Sequence, residues 1–209
     1  MIRMIIVDDH PIFREGLKKI ISESHDIVIE DEVSTGMELL SRIKKNSYDI
    51  IILDISLPDM SGLEILGILQ NEKKRPPVLI ISMHPEEQYA VRALKTGASG
   101  YLTKGSIPDE LLTAIRRVSA GRKYISSALA EKLAADLNKN DEQPAHDKLS
   151  DREYQVMVML ASGKTTGEVA RQLLLSLPTI STYRSRILHK INLKNNAELI
   201  HYAIKHNLV

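Results

Sequence analysis

Five short aliphatic runs constrain the fold of this chain more than any other feature. Met4-Ile-Ile-Val7, Ile27-Val-Ile29, Ile50-Ile-Ile-Leu53, Val78-Leu-Ile-Ile81 and Tyr101-Leu102 recur through the first 120 residues. Runs of this length, rich in β-branched residues, read as strands buried on both faces. Between them the apolar residues take helical spacing. Phe13, Leu17, Ile20 and Ile21 make one face, Leu39, Leu40 and Ile43 a second, Leu63, Leu66 and Ile68/Leu69 a third, and Leu111, Leu112, Ile115 and Val118 the last. Strands alternating with helices predict a five-stranded, doubly wound parallel sheet, whose ligand site lies beyond the carboxyl ends of the strands. Capping signals support the phasing. Thr35-Gly-Met-Glu38 reads as a capping box, and Ser106 precedes Ile107-Pro108-Asp109-Glu110, with proline and acids in a first helical turn.

The rest of the chain is of another kind. An amphipathic helix is expected from about Ser127, and "NKNDEQPAHDK" (138–148) is a polar, proline-containing linker. Beyond it, Ser150-Asp-Arg-Glu153, Thr165-Thr-Gly-Glu168 and Asn195-Asn-Ala-Glu198 each start a helix, and a further helix starts near Ser176 with Pro178 in its first turn. The expected division is residues 1–121 for the α/β domain, 122–147 for a helix and linker, and 148–209 for a small all-α domain. Charge follows this division. Residues 148–209 hold nine Lys/Arg against four Asp/Glu, a net of +5, and the remainder holds 19 against 23, a net of −4. No acid lies between Glu168 and Glu198. An acidic front and a basic tail predict different partners, with nucleic acid the candidate for the tail. There are no cysteines, which excludes a disulfide framework and thiolate metal sites. No apolar run is long enough to cross a membrane, and the N-terminal one is too short for a signal peptide, so a cytoplasmic protein is expected.

On the predicted sheet the polar residues converge. The first strand ends in Asp8-Asp9, the third in Asp54, the fourth in Ser82 and the fifth near Lys104. Three carboxylates at close range repel unless a cation intervenes, and a site of hard oxygen donors suits Mg²⁺. With Lys104 opposite, the set makes a clamp for a phosphoryl group that Asp54 attacks in line, with Ser82 hydrogen-bonding one of its oxygens.

These residues, in "IIVDDH", "IIILDISLPDMSG", "LIISM" and "GASGYLTKG", resemble the receiver domain of bacterial response regulators over about residues 3–120. The resemblance implies that Asp54 takes phosphate from a histidine kinase. It implies that Asp9, Asp54 and the Ser56 backbone carbonyl bind Mg²⁺, with Asp8 acting through water. It also implies that Ser82 and Tyr101 form a switch pair, the hydroxyl swinging to the phosphate as the ring turns inward. Many receivers carry proline after the lysine; here the residue is Gly105. The competing reading is a haloacid-dehalogenase-type phosphatase, but that chemistry needs a second acid two residues after the nucleophile, where this chain has Ser56. A dinucleotide enzyme is excluded because no G-x-G-x-x-G follows the first strand.

In the basic tail, Ile180, Ile187, Leu188 and Ile191 give one helix an apolar face. Thr179, Ser181, Thr182, Arg184, Ser185, Arg186, His189 and Lys190 occupy the rest, which suits the major groove of double-stranded DNA. Thr165 and Thr166 open the preceding helix, whose free N–H groups can hold a phosphate. Residues 148–209 resemble the LuxR/NarL-type helix-turn-helix domain through "LSDREYQVMVMLASGKTTGEVARQLLLSLPTISTYRSRILHKI". Many members carry Lys at Ser181 and His at Tyr183; a subgroup resembling BvgA and EvgA shares this Ser-Thr-Tyr. The two resemblances together imply a NarL/FixJ-type response regulator: a phosphorylation-switched transcription regulator, not an enzyme, that binds paired half-sites as a homodimer. A constitutive DNA binder is the remaining alternative.

Overall fold

The computed structural model describes residues 1–72, 75–105, 107–127, 129–131 and 144–209. The chain divides into two compact units, Met1–Ala134 and Ala135–Val209. The first alternates strand and helix in the order β1 (Ile2–Val7), α1 (Pro11–Ser22), β2 (Ile27–Val33), α2 (Gly36–Arg42), β3 (Ile50–Leu53), α3 (Gly62–Gln70), β4 (Val78–Ser82), α4 (Glu86–Lys95), β5 (Gly100–Thr103) and α5 (Ile107–Ser119). The sheet is parallel throughout with the order β2-β1-β3-β4-β5. This is the doubly wound architecture expected from the aliphatic runs.

Every residue of β3 and β4 is buried. Met4, Ile6, Ile52, Leu79, Ile81 and Leu102 meet Leu17 and Ile21 of α1 and Leu111, Ile115 and Val118 of α5. The alternate residues Ile5, Val7, Ile51, Leu53 and Ile80 are equally buried and by the pleat face the opposite layer. Burying each such side chain contributes roughly 2 kcal/mol, so the strands that carry the polar ends are rigidly held.

Two elements exceed what the aliphatic pattern showed. β2 runs on through Glu30-Asp31-Glu32 because it is an edge strand, whose acids pair with Arg3, Arg14, Lys18 and Arg42. The helix α4 has no aliphatic stripe; its buried face is Tyr89, Ala90 and Ala93. Ile68, one of the predicted face residues of α3, is 43% exposed, and Leu69 takes the core position.

The caps separate into two kinds by one backbone angle. Ser61, Ser150 and Thr165, with φ between −63° and −72°, form complete capping boxes. Thr35 and Asn195, at φ −137° and −156°, accept from Glu38 N and Glu198 N, but the returning carboxylates bond the N–H of the preceding residue, Ser34 or Lys194. The Thr35-x-x-Glu38 box is therefore only half formed. The more extended φ turns the cap's own N–H away from the helix. Asp59 supplies the missing acceptors at α2 through Gly36 N and Met37 N. The expected cap Ser106 and most of the expected linker (138–143) lie outside the described residues.

The second unit holds α6 (Asp151–Ala161), α7 (Thr166–Gln172), α8 (Leu177–Lys190) and α9 (Asn196–Lys205). Ile180, Ile187, Leu188 and Ile191 of α8 are buried as predicted, as are Val156, Met157, Val169 and Leu199 of the other helices. Each helix ends in the same way. Residues 163, 174, 192 and 207 adopt a left-handed backbone. At each, two backbone bonds close the last turn, for example Leu174 N to Arg171 O and Leu175 N to Ala170 O. Glycine fills this position only at Gly163. Asn192 and Asn207 tolerate it, and Leu174, at φ 51°, is strained by its Cβ.

Candidate functional site

The strands deliver their polar ends to one edge with the backbone still tied. Asp8 N–H donates to Val33 O of β2 at 3.1 Å, Asp54 N–H to Val7 O of β1 at 2.9 Å, and Lys104 N–H to Ser82 O of β4 at 2.8 Å. Each residue is thus the last held by the ladder and the first whose side chain clears it. Beyond Asp54 the chain makes a tight loop and returns at Gly62, whose N–H donates to Ile55 O at 2.9 Å. A Cβ on Gly62 would lie 2.4 Å from Asp54 O, so only glycine admits this approach.

Lys104 Nζ lies 2.6 Å from Asp8 Oδ2 and 2.9 Å from Asp54 Oδ2, and these side chains are no more than 5% exposed. The same ammonium sits 4.3 Å from the centre of the Phe13 ring. Burial pushes the Asp54 carboxyl above the usual carboxylate range; Lys104 opposes this and Asp8 adds to it. Burial also works against the Lys104 ammonium, but Asp54 and Asp8 more than offset it and raise its pKa. Asp8 uses both oxygens: Oδ1 accepts from His10 N–H at 2.8 Å while Oδ2 meets Lys104. Asp9 Oδ1 lies 2.8 Å from His10 Nδ1 but outside hydrogen-bond geometry, and it is a buried oxygen with no hydrogen-bond partner. Ligand atoms of Asp8, Asp9, His10 and Asp54 all fall within 4.8 Å of one another. Crowded carboxylate oxygens, one of them buried and unpartnered, fit a small hard cation.

The other expected residues surround this cluster. Ser56 N–H donates to Asp54 Oδ1 at 3.3 Å. Ser82, fully buried, accepts from His84 N–H at 3.2 Å. Tyr101 is 1% exposed, its ring already inward, and its hydroxyl donates to His84 O at 2.9 Å. No cis peptide occurs among the described residues, so the Lys104–Gly105 bond is trans. Two histidines were not singled out from the sequence. His10 bridges Asp8 and Asp9. His84 joins Ser82 and Tyr101 through its backbone and Ser56 through its ring, with Nε2 3.1 Å from Ser56 Oγ. A histidine in a strand-end loop gives no sequence signal of its own, because its partners come from other loops.

In the second unit the residues expected to meet DNA divide into two sets. Ser181, Ser185 and Arg186 are exposed on α8; Thr182 is exposed too, but its hydroxyl back-bonds to Pro178 O at 3.0 Å. Thr179 is half-buried in the Ser176 cap, with its Oγ1 2.8 Å from Ser176 Oγ. Arg184 Nε donates to Asn196 Oδ1 at 2.6 Å, and Lys190 Nζ meets the buried Glu153 carboxylate at 2.7 Å. Both long basic chains are thereby tied within their own unit. Thr165 caps α7, where its own N–H is taken by Glu168 at 2.7 Å; Thr166 follows, half-buried.

A parallel sheet with an Asp-Asp, Asp, Ser and Lys edge, followed in the chain by a four-helix unit with a basic recognition helix, defines a receiver joined to a helix-turn-helix domain. The comparisons with known proteins agree. Residues 4–116 match the response regulator receiver domain family, and residues 147–203 match the bacterial regulatory proteins of the luxR family. The chain is 32% identical to the response regulator UvrY of Escherichia coli K12 over 209 residues, all of this chain and 96% of that one. It is 30% identical to the response regulator GacA of Pseudomonas aeruginosa PAO1, covering all of this chain and 98% of that one. RcsB of Salmonella enterica serovar Typhimurium shares the fold, with a TM-score of 0.64, 22% identity and 97% and 98% of the two chains covered. The chain belongs to the response regulators with a LuxR-type DNA-binding domain. It is a phosphorylation-controlled transcription regulator, not an enzyme, that works with a histidine kinase and binds DNA. Among the described residues no helix is long and apolar enough to cross a membrane.

Proposed function

We propose that Asp54 is the phosphoryl acceptor. The observation that carries this is the buried Asp8–Lys104–Asp54 array at the strand edge, 2.6 and 2.9 Å from the shared ammonium. A carboxylate oxygen of Asp54 forms the new P–O bond. The donor's bond to phosphorus breaks and its electron pair leaves with the donor, a kinase imidazole or the acetate of acetyl phosphate. Lys104 then offsets charge on the phosphoryl oxygens, and Ser82 turns its hydroxyl toward them. Asp9, Asp54 and the Ser56 carbonyl would hold Mg²⁺, with Asp8 acting through water, and the bound ion supplies further charge neutralisation. The full engagement of Asp8 by Lys104 and His10 supports that indirect role. The added charge biases α4 and α5 between two arrangements, so that the receiver releases the basic unit or dimerises, and two copies place their α8 helices in paired half-sites of a cytoplasmic promoter. Ser181, Thr182, Ser185 and Arg186 make the approach to the groove, with Thr165, Thr166 and Thr179 beside them.

The test is incubation with Mg²⁺ and acetyl phosphate, read by intact mass. One phosphoryl group is expected on the wild type and none on Asp54→Ala. Rapid turnover of the donor with no trapped adduct would instead favour a phosphatase. DNA binding unchanged by phosphorylation would favour the constitutive binder.

A further inference from the structure

The segment that follows α5 is fastened across the first unit rather than left free. α5 closes with Gly121 N to Val118 O at 2.9 Å and Arg122 N to Arg117 O at 3.0 Å, and Gly121, at φ 76°, turns the chain back toward the sheet. The next residues then run along the open edge of β5. Tyr124 N–H donates to Ser99 O at 2.9 Å, and Tyr124 O accepts from Tyr101 N–H at 3.3 Å, a parallel bridge opposite Gly100. The approach needs a glycine in β5, because a Cβ on Gly100 would sit 2.8 Å from Tyr124 O. Side chains fasten the segment to both flanking helices. Tyr124 hydroxyl donates to Glu110 of α5 at 2.6 Å, and Ser126 hydroxyl donates to Glu86, the first residue of α4, at 2.5 Å. Ser126 then caps the backbone at Leu129, and Leu129 is buried.

This strap meets the switch at its backbone. From Ser82 the bonds run in sequence: His84 N–H to Ser82 Oγ, Tyr101 hydroxyl to His84 O, and Tyr101 N–H to Tyr124 O. The covalent chain from Tyr124 leads on to the second unit. A change at Ser82 or in the α4 and β5 elements therefore acts directly on the residues that hold the strap.

We infer that residues 123–126 form a detachable edge strand, with Tyr124 as a positioning residue for the Ser82–Tyr101 switch, docked when Asp54 is free and released when it carries a phosphoryl group. This rests on Asp54 being the acceptor. Coupling of this kind is reciprocal: whatever releases the strap must favour the phosphorylated state by the same factor.

The experiment uses the full chain with Mg²⁺ and beryllium fluoride as the phosphoryl mimic. Hydrogen exchange is followed by mass spectrometry at residues 99–101 and 122–127, and mimic affinity is measured by titration. In the wild type, saturation with the mimic should raise exchange in both segments. Gly100→Ala should raise exchange there without the mimic and bind the mimic about 5-fold more tightly or better. A second variant, Tyr124→Phe with Ser126→Ala, leaves β5 untouched and should move both readouts in the same direction, so a folding defect of Gly100→Ala cannot decide the matter. If the mimic binds but exchange at 122–127 does not change, or if strap-loosened variants bind it no more tightly, the inference is overturned while the acceptor assignment stands. If the wild type neither binds the mimic nor gains phosphate, the acceptor assignment itself fails.

Discussion

The strand edge of the first unit and the α8 face of the second unit are both polar, and they are built on opposite terms. At the edge, Asp8, Asp54 and Lys104 come from three strands, are no more than 5% exposed, and two carboxylates share one ammonium. On α8, Ser181, Ser185 and Arg186 come from a single helix and stand in solvent. Covalent capture of a phosphoryl group needs charges fixed in advance in a place where water does not screen them. Docking on a duplex needs charge that the protein has not already used. Arg184 and Lys190, also expected to meet DNA, already hold partners in their own unit, Asn196 and Glu153.

The largest effect expected from breaking this contrast is at Lys104. Lys104→Met removes the one cation from between two buried carboxylates, and phosphoryl uptake from acetyl phosphate should slow by about a hundredfold or more. Intact-mass time courses measure this, and uptake within a few-fold of wild type would show that the ammonium is not part of the clamp. Next in size is Gly62→Ala, which sets a Cβ against Asp54 O at 2.4 Å and Ile55 Cα at 2.9 Å. Backbone cannot yield as a side chain tip can, so the substitution should cost about 3 kcal/mol of first-unit stability. Denaturant melts of the full chain, with each unit followed separately, would register it, and a loss confined to the second unit would contradict it.

Much of the edge is legible in the sequence alone because strand ends are governed by a simple rule. Four runs stop at Asp8, Asp54, Ser82 and near Lys104, and a parallel sheet must bring such stops to one side. What escaped was whatever depends on an angle or on a loop partner. His84 is one of seven histidines until Ser56, Ser82 and Tyr101 are placed around it. The Glu30-Asp31-Glu32 stretch hid half of β2, since an edge strand need not be apolar. The left-handed positions at Leu174, Asn192 and Asn207 carry no glycine to announce them. The α8 face was legible as a pattern, but not in its assignment of roles. Spacing puts Arg184 in line with Ile180, Ile187, Leu188 and Ile191 and Lys190 off that stripe, but it could not show that Asn196 and Glu153 arrive from neighbouring helices to hold them.

That assignment can be tested on the second unit itself. Lys190→Ala leaves the Glu153 carboxylate, 4% exposed, without its cation, although Ser150 N–H still donates to it at 2.7 Å. A loss of about 1 kcal/mol is expected, at the low end for a charged hydrogen bond because Lys190 is 41% exposed. The Lys190 hydrogen bond and the Ser150 N–H outweigh the effect of burial and hold the Glu153 pKa below its ordinary value. A depressed carboxylate stabilises the fold above its unfolded pKa and loses that contribution as pH falls through the folded one. The gap between wild type and Lys190→Ala should therefore close in acid, below the ordinary glutamate range. A gap that persists there would mean that Lys190 stabilises by packing alone.

The smallest effect, and the one that separates the two sets of basic residues most sharply, is at Arg186. Its side chain is exposed on the same face of α8 as Lys190, one turn away, while Arg184 lies on the opposite, part-buried side of the helix. If Arg186 meets a phosphate, Arg186→Ala should leave the melting of the unit unchanged and reduce the slope of log affinity against log salt by about 0.9. Lys190→Ala should do the reverse, lowering stability with the slope unchanged, and Arg184→Ala should follow Lys190→Ala through the loss of its Asn196 bond. Binding of the three variants to one promoter fragment across a salt series reads this directly. Equal loss of slope in all three would mean that DNA draws Arg184 and Lys190 away from Asn196 and Glu153, and that the intradomain bonds are a resting arrangement which binding exchanges for phosphate contacts.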